Sequence, residues 1–217
     1  MENFEITPTL REYVEKDILP RYKNFDKAHG VDHATTVIEQ SLQLAAHYDV
    51  DKDMVYAIAA FHDTGLCEGR ECHHTASARV VREDMFLNTF FTAEEVEVIA
   101  DAVEDHRASN KSAPRTIYGR IVAEADRLID GETIVRRTLQ YGLSHYPGMC
   151  REEHLARAVG HLREKYAEGG YLRLWIPESP NALRLRLFRE VIADKERLSS
   201  LLERIFDEEA YERVGSA

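Results

Sequence analysis

Residues 53–62 contain the run MVYAIAAFH, which is nearly all apolar, and Asp63 follows it directly. A helix that is apolar on every side has no face to give to water, so other elements must enclose it. It is also too short to cross a membrane, which takes about 20 residues. The chain is thus constrained to build a core around this helix and to bring His62 and Asp63 to the edge of that core.

The remaining periodicity is helical. Ala34, Val37, Ile38, Leu42 and Ala45 predict a helix over about 32–47. Thr92-Ala93-Glu94-Glu95 reads as a capping box, with Val96, Ile99, Ala100 and Val103 as the stripe behind it. Ile117, Ile121, Val122, Ala125, Leu128 and Ile129 predict another helix, and two or three more fall between 132 and 168 before Gly169-Gly170 breaks the pattern. Ser179-Pro180 predicts the start of one long C-terminal helix, with Ser as cap and Pro at the first helical position. Its buried face is read from Leu187, Val191, Leu198, Leu201, Leu202 and Ile205. No alternating strand pattern occurs. The expectation is an all-α protein with a single domain over 1–217, made of a helical-bundle core of about 20–145 and a C-terminal helical extension of about 146–217.

Composition narrows the classes of function. The chain has 217 residues, 44% hydrophobic and 31% charged, with a net charge of −11. That balance is globular, and the acidic excess makes long nucleic acid a poor partner. No apolar run is long enough for a membrane helix, and MENFEITPTLREYVEKD lacks the features of a signal peptide. Three cysteines, Cys67, Cys72 and Cys150, are an odd number, which suits reduced thiols in a cytoplasmic protein. Cys67 and Cys72 precede His73-His74, but the second Cys/His pair that a structural zinc site needs is missing.

Four residues carry the chemistry: His33 near the start of one helix, His62 and Asp63 at the end of the apolar one, and Asp126 in VAEADRLID. Asp126 follows Val122 by one helical turn, so it stands at the margin of an apolar stripe. A partly buried carboxylate needs a cation or hydrogen-bond partners. Two carboxylates and two imidazoles together suit a divalent metal that keeps positions open for water and substrate.

The order His33, His62-Asp63, Asp126 resembles the HD-domain metal-dependent phosphohydrolases. HGVDHATTVIEQSLQLA is similar to that family's first motif, AIAAFHDTG to its His-Asp motif, and AVEDH and IVAEADRLID to its later helices. The resemblance spans about 29–130. It implies an all-α core in which His33, His62, Asp63 and Asp126 hold one divalent ion (Mn, Fe, Co, Ni, Zn or Mg). Branches of the family that add two histidines bind a second ion. Here His106 and either His73 or His74 are the candidates, with Asp63 as the bridge. Some members place an acidic residue three positions after the His-Asp pair; this chain has Leu66 there, which leaves the general base or water-orienting group open, with Glu68 and Glu104 as candidates beside Glu71 and Asp105. His29, four residues before His33, is a candidate to orient it from behind.

Arg107, Lys111 and Arg115 put three cations in one loop directly after His106, a candidate seat for a substrate phosphate. The function implied is hydrolysis of a small phosphorylated metabolite or nucleotide by metal-activated water. Two alternatives share these residues: a di-iron oxygenase of the HD type, and a non-catalytic regulatory protein that binds metal or nucleotide. The long C-terminal helix could pair between two subunits, which would give a homo-oligomer. GGYLRLW reads as packing within the C-terminal part, with Tyr171 and Trp175 as its large apolar bodies.

Overall fold

The fold was analysed in a computed structural model that describes residues 5–25 and 29–215. The first four residues of the amino-terminal stretch lie outside the described residues. Among those described there are eleven α-helices and no strand, so the protein is all-α. It forms two compact units, Met1–Arg127 with Leu174–Ser179, and Leu128–Arg173 with Pro180–Ala217. Residues 128–145, grouped with the core in the sequence reading, belong to the second unit.

The first unit begins with α1 (Pro8–Tyr13), which runs into a π turn (Val14–Ile18) and a 3₁₀ turn (Leu19–Asn24). Leu10, Val14, Ile18 and Tyr22 are fully buried along it. Then come α2 (Val31–Ala45) and α3 (Lys52–Phe61). Every residue of α3 from Met54 to Phe61 is buried, as its composition requires. Asp51 starts α3 by accepting hydrogen bonds from the Asp53 and Met54 amides, at 2.8 and 3.3 Å. Ala57, Ala59 and Ala60 leave little bulk on α3, and α2, α6 and α7 all pack on it.

After α3 the chain makes a 3₁₀ turn (Thr64–Glu68) and enters α4 (His73–Glu83), α5 (Leu87–Phe90), α6 (Ala93–Asp105) and α7 (Ile117–Asp126). The capping box before α6 is formed: the Glu95 amide donates to Thr92 Oγ1 at 3.3 Å, and the Thr92 amide donates to Glu95 Oε2 at 2.8 Å. Helix α7 is shorter than its apolar pattern predicts. The Arg127 amide closes on the Glu124 carbonyl, its guanidinium donates to the Ala123 carbonyl, and the chain leaves helical geometry. Asp126 is therefore the last helical residue, and Leu128 and Ile129 lie beyond the helix.

The second unit contains α8 (Gly131–His145), α9 (Arg151–Tyr166), α10 (Asn181–Ala193) and α11 (Lys195–Gly215). Asp130 caps α8 by accepting from the Thr133 amide at 2.8 Å. The single C-terminal helix expected from the sequence is two helices, broken at Asp194. That carboxylate accepts from the Glu196 and Arg197 amides at 3.1 and 3.0 Å, so it works as an N-cap and starts a new helix. Helix α10 begins with Pro180 at its N-cap rather than with a Ser179 cap at one end of a long helix. Leu187 is 51% exposed; Leu185, Phe188 and Ile192 make the buried face of α10 instead, while Leu198, Leu202 and Ile205 are buried as read. The GGYLRLW segment is also divided. Trp175 packs on the core of the first unit, where its amide donates to Glu124 Oε2 at 2.7 Å, and Tyr171 is exposed in the second.

Candidate metal centre

The helices of the first unit bring His33, His62, Asp63, His73, His106 and Asp126 into one cluster. His33 comes from the first turn of α2, while His62 and Asp63 follow the last turn of α3. His73 opens α4, His106 caps α6, and Asp126 ends α7. Each side chain sits at a helix end, where the surrounding apolar stripes give way.

Two lobes share Asp63. In the first, His33 Nε2 and His62 Nε2 stand 3.2 Å apart, His62 Nε2 is 3.3 Å from Asp63 Oδ2, and His33 Nε2 is 3.2 Å from Asp126 Oδ1. In the second, His73 Nε2 and His106 Nε2 are 3.2 Å apart, and each is 3.5 Å from Asp63 Oδ1. One carboxylate thus turns one oxygen to each pair of histidines. His33–His62–Asp63 and Asp63–His73–His106 are each close enough in their ligand atoms to hold a metal ion.

The hydrogen bonds on the far side of the rings strengthen that fit. His62 Nδ1–H donates to the Ala59 carbonyl at 2.8 Å, His73 Nδ1–H to Arg70 at 2.7 Å, and His106 Nδ1–H to Val103 at 2.5 Å. A carbonyl only accepts, so Nδ1 carries a proton and Nε2 is left facing inward for a metal ion, or for a second proton when no ion is bound. Two lone pairs facing each other at 3.2 Å repel unless a cation lies between them. Two nitrogens bound to one ion, each about 2.1 Å from it, stand roughly 3.0–3.4 Å apart. The donor set and its spacing fit a divalent ion.

Charge is concentrated here in a nearly dry setting. The side chains of His62, His106, Asp63 and His33 are 0, 3, 5 and 7% exposed, and Asp126 is the most open at 23%. Burial works against protonation of His62, but the Asp63 charge and hydrogen bond outweigh it and lift the ring to about 9. Burial would raise the Asp63 carboxyl; the His62 charge and the bonds from His106 and His62 hold it well below the usual carboxylate range. Asp126 is held low in the same way against its burial, chiefly by His33. Burial and the neighbouring His106 push His73 down to about 4.

Close packing sets the second lobe. A Cβ on Gly65 would lie 2.4 Å from the His73 carbonyl oxygen and 2.4 Å from the Ser77 amide, so only glycine lets α4 come this near. The Gly65 amide donates to Ser77 Oγ at 2.8 Å and fastens the approach. The geometry also decides between the two adjacent histidines. His73 enters the cluster, while His74 Nδ1 faces Arg107 Nη1 at 3.4 Å.

Tyr22 was not read from the sequence as part of this site. Its hydroxyl donates to the Ala60 carbonyl at 2.8 Å and accepts from the Asp63 amide at 3.2 Å, which fixes the backbone of the His-Asp pair from below. Burial, together with the Asp63 charge, raises its phenol well above the usual tyrosine range and keeps it a hydrogen-bond donor. The strict four-residue step of Leu10, Val14, Ile18 and Tyr22 was the available signal.

The other candidates lie further out. His29 stands edge-on to His33 with ring centroids 6.0 Å apart, and His33 Nδ1 is buried without a hydrogen-bond partner among the described residues. Glu68 is exposed and ion-paired with Arg79. Arg115 is enclosed by Asp101, Glu104 and Asp105 at 2.8, 2.7 and 2.9 Å, which engages Glu104 as well. Lys111 is exposed in the loop between α6 and α7. Arg107 donates to the Glu71 carbonyl beside the second lobe. Cys67, Cys72 and Cys150 are free exposed thiols.

The family model of the HD domain matches residues 30–130, a stretch that contains all six cluster residues. Curated proteins and solved structures gave no match. None of the helices is long and apolar enough among the described residues to cross a membrane. The helical fold, the order of His33, His62-Asp63 and Asp126, and the family match agree: through residues 30–130 this chain belongs to the HD metal-dependent phosphohydrolase superfamily.

Proposed function

We propose that the protein is a phosphohydrolase with two divalent ions per chain, acting on a small phosphorylated metabolite or nucleotide. The observation that carries this reading is the single Asp63 carboxylate facing two histidine pairs with opposite oxygens. His33, His62 and Asp126 complete one ligand set, and His73 and His106 the other. Divalent ions there supply Lewis acidity, polarising a phosphoryl oxygen and bringing the pKa of bound water toward neutrality.

The chain's own groups hold that chemistry in place. The carbonyls of Ala59, Arg70 and Val103 keep three rings turned with Nε2 inward. Asp126, the most exposed of the six side chains, marks the side by which water and phosphate enter. Arg107 supplies a cation for the phosphate. Glu68 and Glu104 are ion-paired with Arg79 and Arg115, so either would have to leave its arginine to act as the general base. The acidic chain favours a small substrate over long nucleic acid, in the cytoplasm.

The test joins elemental analysis of the purified protein to phosphate release from nucleotides and sugar phosphates with added Mn, Co, Ni or Mg. Expected are nearly two metal ions per chain and metal-dependent release that is lost in Asp63→Ala. Two irons with no phosphate release would overturn hydrolysis in favour of oxygen chemistry at the same ligands. No bound metal and no turnover would overturn the ligand set.

A further inference from the structure

The arginines around the cluster differ in what they touch. Arg79, Arg82 and Arg115 are neutralised by carboxylates. Arg70 and Arg107 have no carboxylate partner among the described residues. Arg70 Nη2 lies 3.5 Å from His29 Nε2, and Arg107 Nη1 donates to the Glu71 carbonyl and lies 3.4 Å from His74 Nδ1. Each guanidinium is one imidazole removed from a lobe: His29 stands against His33, and His74 stands against His73 at a ring-centroid distance of 5.6 Å. A guanidinium beside an imidazole nitrogen can donate to its lone pair, which holds the two side chains together.

The backbone ties the two pairs to the ligands themselves. The Arg70 carbonyl accepts from His73 Nδ1–H, and Arg107 directly follows His106 in the chain. Arg70 extends toward the His33 side and Arg107 lies on the His73–His106 side. Two uncompensated cations at two ends of one metal cluster, in a chain of net charge −11, call for an anion at each end.

We propose that Arg70 with His29 and Arg107 with His74 form a two-ended anion clamp, which selects substrates carrying two linked phosphoryl groups over simple phosphomonoesters. This rests on the hydrolase reading above and names the substrate class for it. Arg70 is a specificity residue here; it contributes through its side chain to the substrate and through its carbonyl to His73.

Calorimetric titration with two non-hydrolysable probes tests this, methylenediphosphonate and methylphosphonate. The protein is used as purified, with its metal content measured before and after. Wild type should prefer the diphosphonate, and Arg70→Gln should lower diphosphonate affinity about tenfold while changing methylphosphonate much less. Glutamine leaves the Arg70 carbonyl and its bond to His73 intact, so metal content should not change. Arg107→Gln should reduce the same preference, and Arg82→Gln, which alters an arginine paired with Glu97 and Asp101, should not. An unchanged preference in Arg70→Gln, or equal wild-type affinity for the two probes, overturns the clamp. Phosphate release from inorganic pyrophosphate with added Mn, followed in parallel, separates the two readings. Its absence beside an intact Arg70-dependent preference defeats the hydrolase and supports the clamp.

Discussion

In the first unit, Asp63 and Asp126 lie among four imidazoles, with no lysine or arginine bonded to either carboxylate among the described residues. In the second, Arg136 reaches Glu208 and Glu209 at 2.5 and 2.8 Å, Gln140 donates to Glu209 at 2.9 Å, and Arg204 reaches Glu132 at 2.9 Å. Both regions are dense in charge. The second is complete in itself, since Glu132, Glu208 and the buried Glu209 each meet a permanent cation. The first is arranged so that lone pairs and carboxylates converge, an arrangement that a divalent ion satisfies and side chains alone do not. Ion-pair density therefore says little about function, whereas convergence without a fixed cation says a great deal.

The largest effect expected from this contrast is metal-linked stability. Raising free Mn to one hundred times its dissociation constant should stabilise the wild-type protein by about 2.7 kcal/mol, read as a rise in the melting midpoint. Asp63→Ala should abolish that rise. A rise that survived in Asp63→Ala would place the bound metal elsewhere.

Next comes the packing of α4. Gly65→Ala forces a methyl group against the backbone of His73 and Ser77, and should destabilise the protein by about 1–3 kcal/mol in denaturant melts. Bound metal should fall toward one ion, because α4 carries His73. A fold that tolerates the methyl group and keeps both ions would show that α4 does not need this close approach.

Arg136→Ala probes the other side of the comparison. Its pair with Glu208 is partly exposed, but Glu209 is buried and would keep only Gln140, so the expected loss is about 1–3 kcal/mol, of which the Glu208 share shrinks as salt is added. Amide exchange should quicken in α8 and α11 while metal content holds. A change in bound metal would break the division of roles between the two regions.

The smallest effect concerns pH. Burial, reinforced by Lys165 and Arg157, lowers the His161 pKa in α9. The unfolded chain thus binds this proton more readily than the folded one. Stability contributed at this position is present above the unfolded value of about 6.5 and declines as pH falls through it. His161→Gln should flatten that acid-side decline in melting midpoint; an unaltered pH profile would exclude His161 as its source.

Much of this organisation was legible in residue order. The apolar run ending in His62-Asp63 forced a central helix with metal-capable groups at its end, and Thr92 with Glu95 marked the start of α6. What escaped depended on three-dimensional approach or on interruptions of the helical period. His73 and His74 are equivalent on paper, and only the seating of α4 on Gly65 separates them. Asp194 stands inside an apolar pattern that continues past it, yet its carboxylate starts a new helix. Arg70 lies in an exposed turn where composition gives no hint of its neighbours. Leu10, Val14, Ile18 and Tyr22 repeat every four residues, a step that drifts around an α-helix; the π turn over Val14–Ile18 takes up the drift and keeps all four buried.

The Tyr22 hydroxyl has a practical consequence for how this protein is cut. The family match begins at residue 30, eight residues after the tyrosine that braces Asp63. A fragment trimmed to the matched segment would keep all six cluster side chains and discard the floor beneath them, together with the buried Leu10, Val14 and Ile18. The structural boundary of the unit that carries the cluster lies upstream of its recognisable signature, so expression fragments and domain transplants should begin no later than α1.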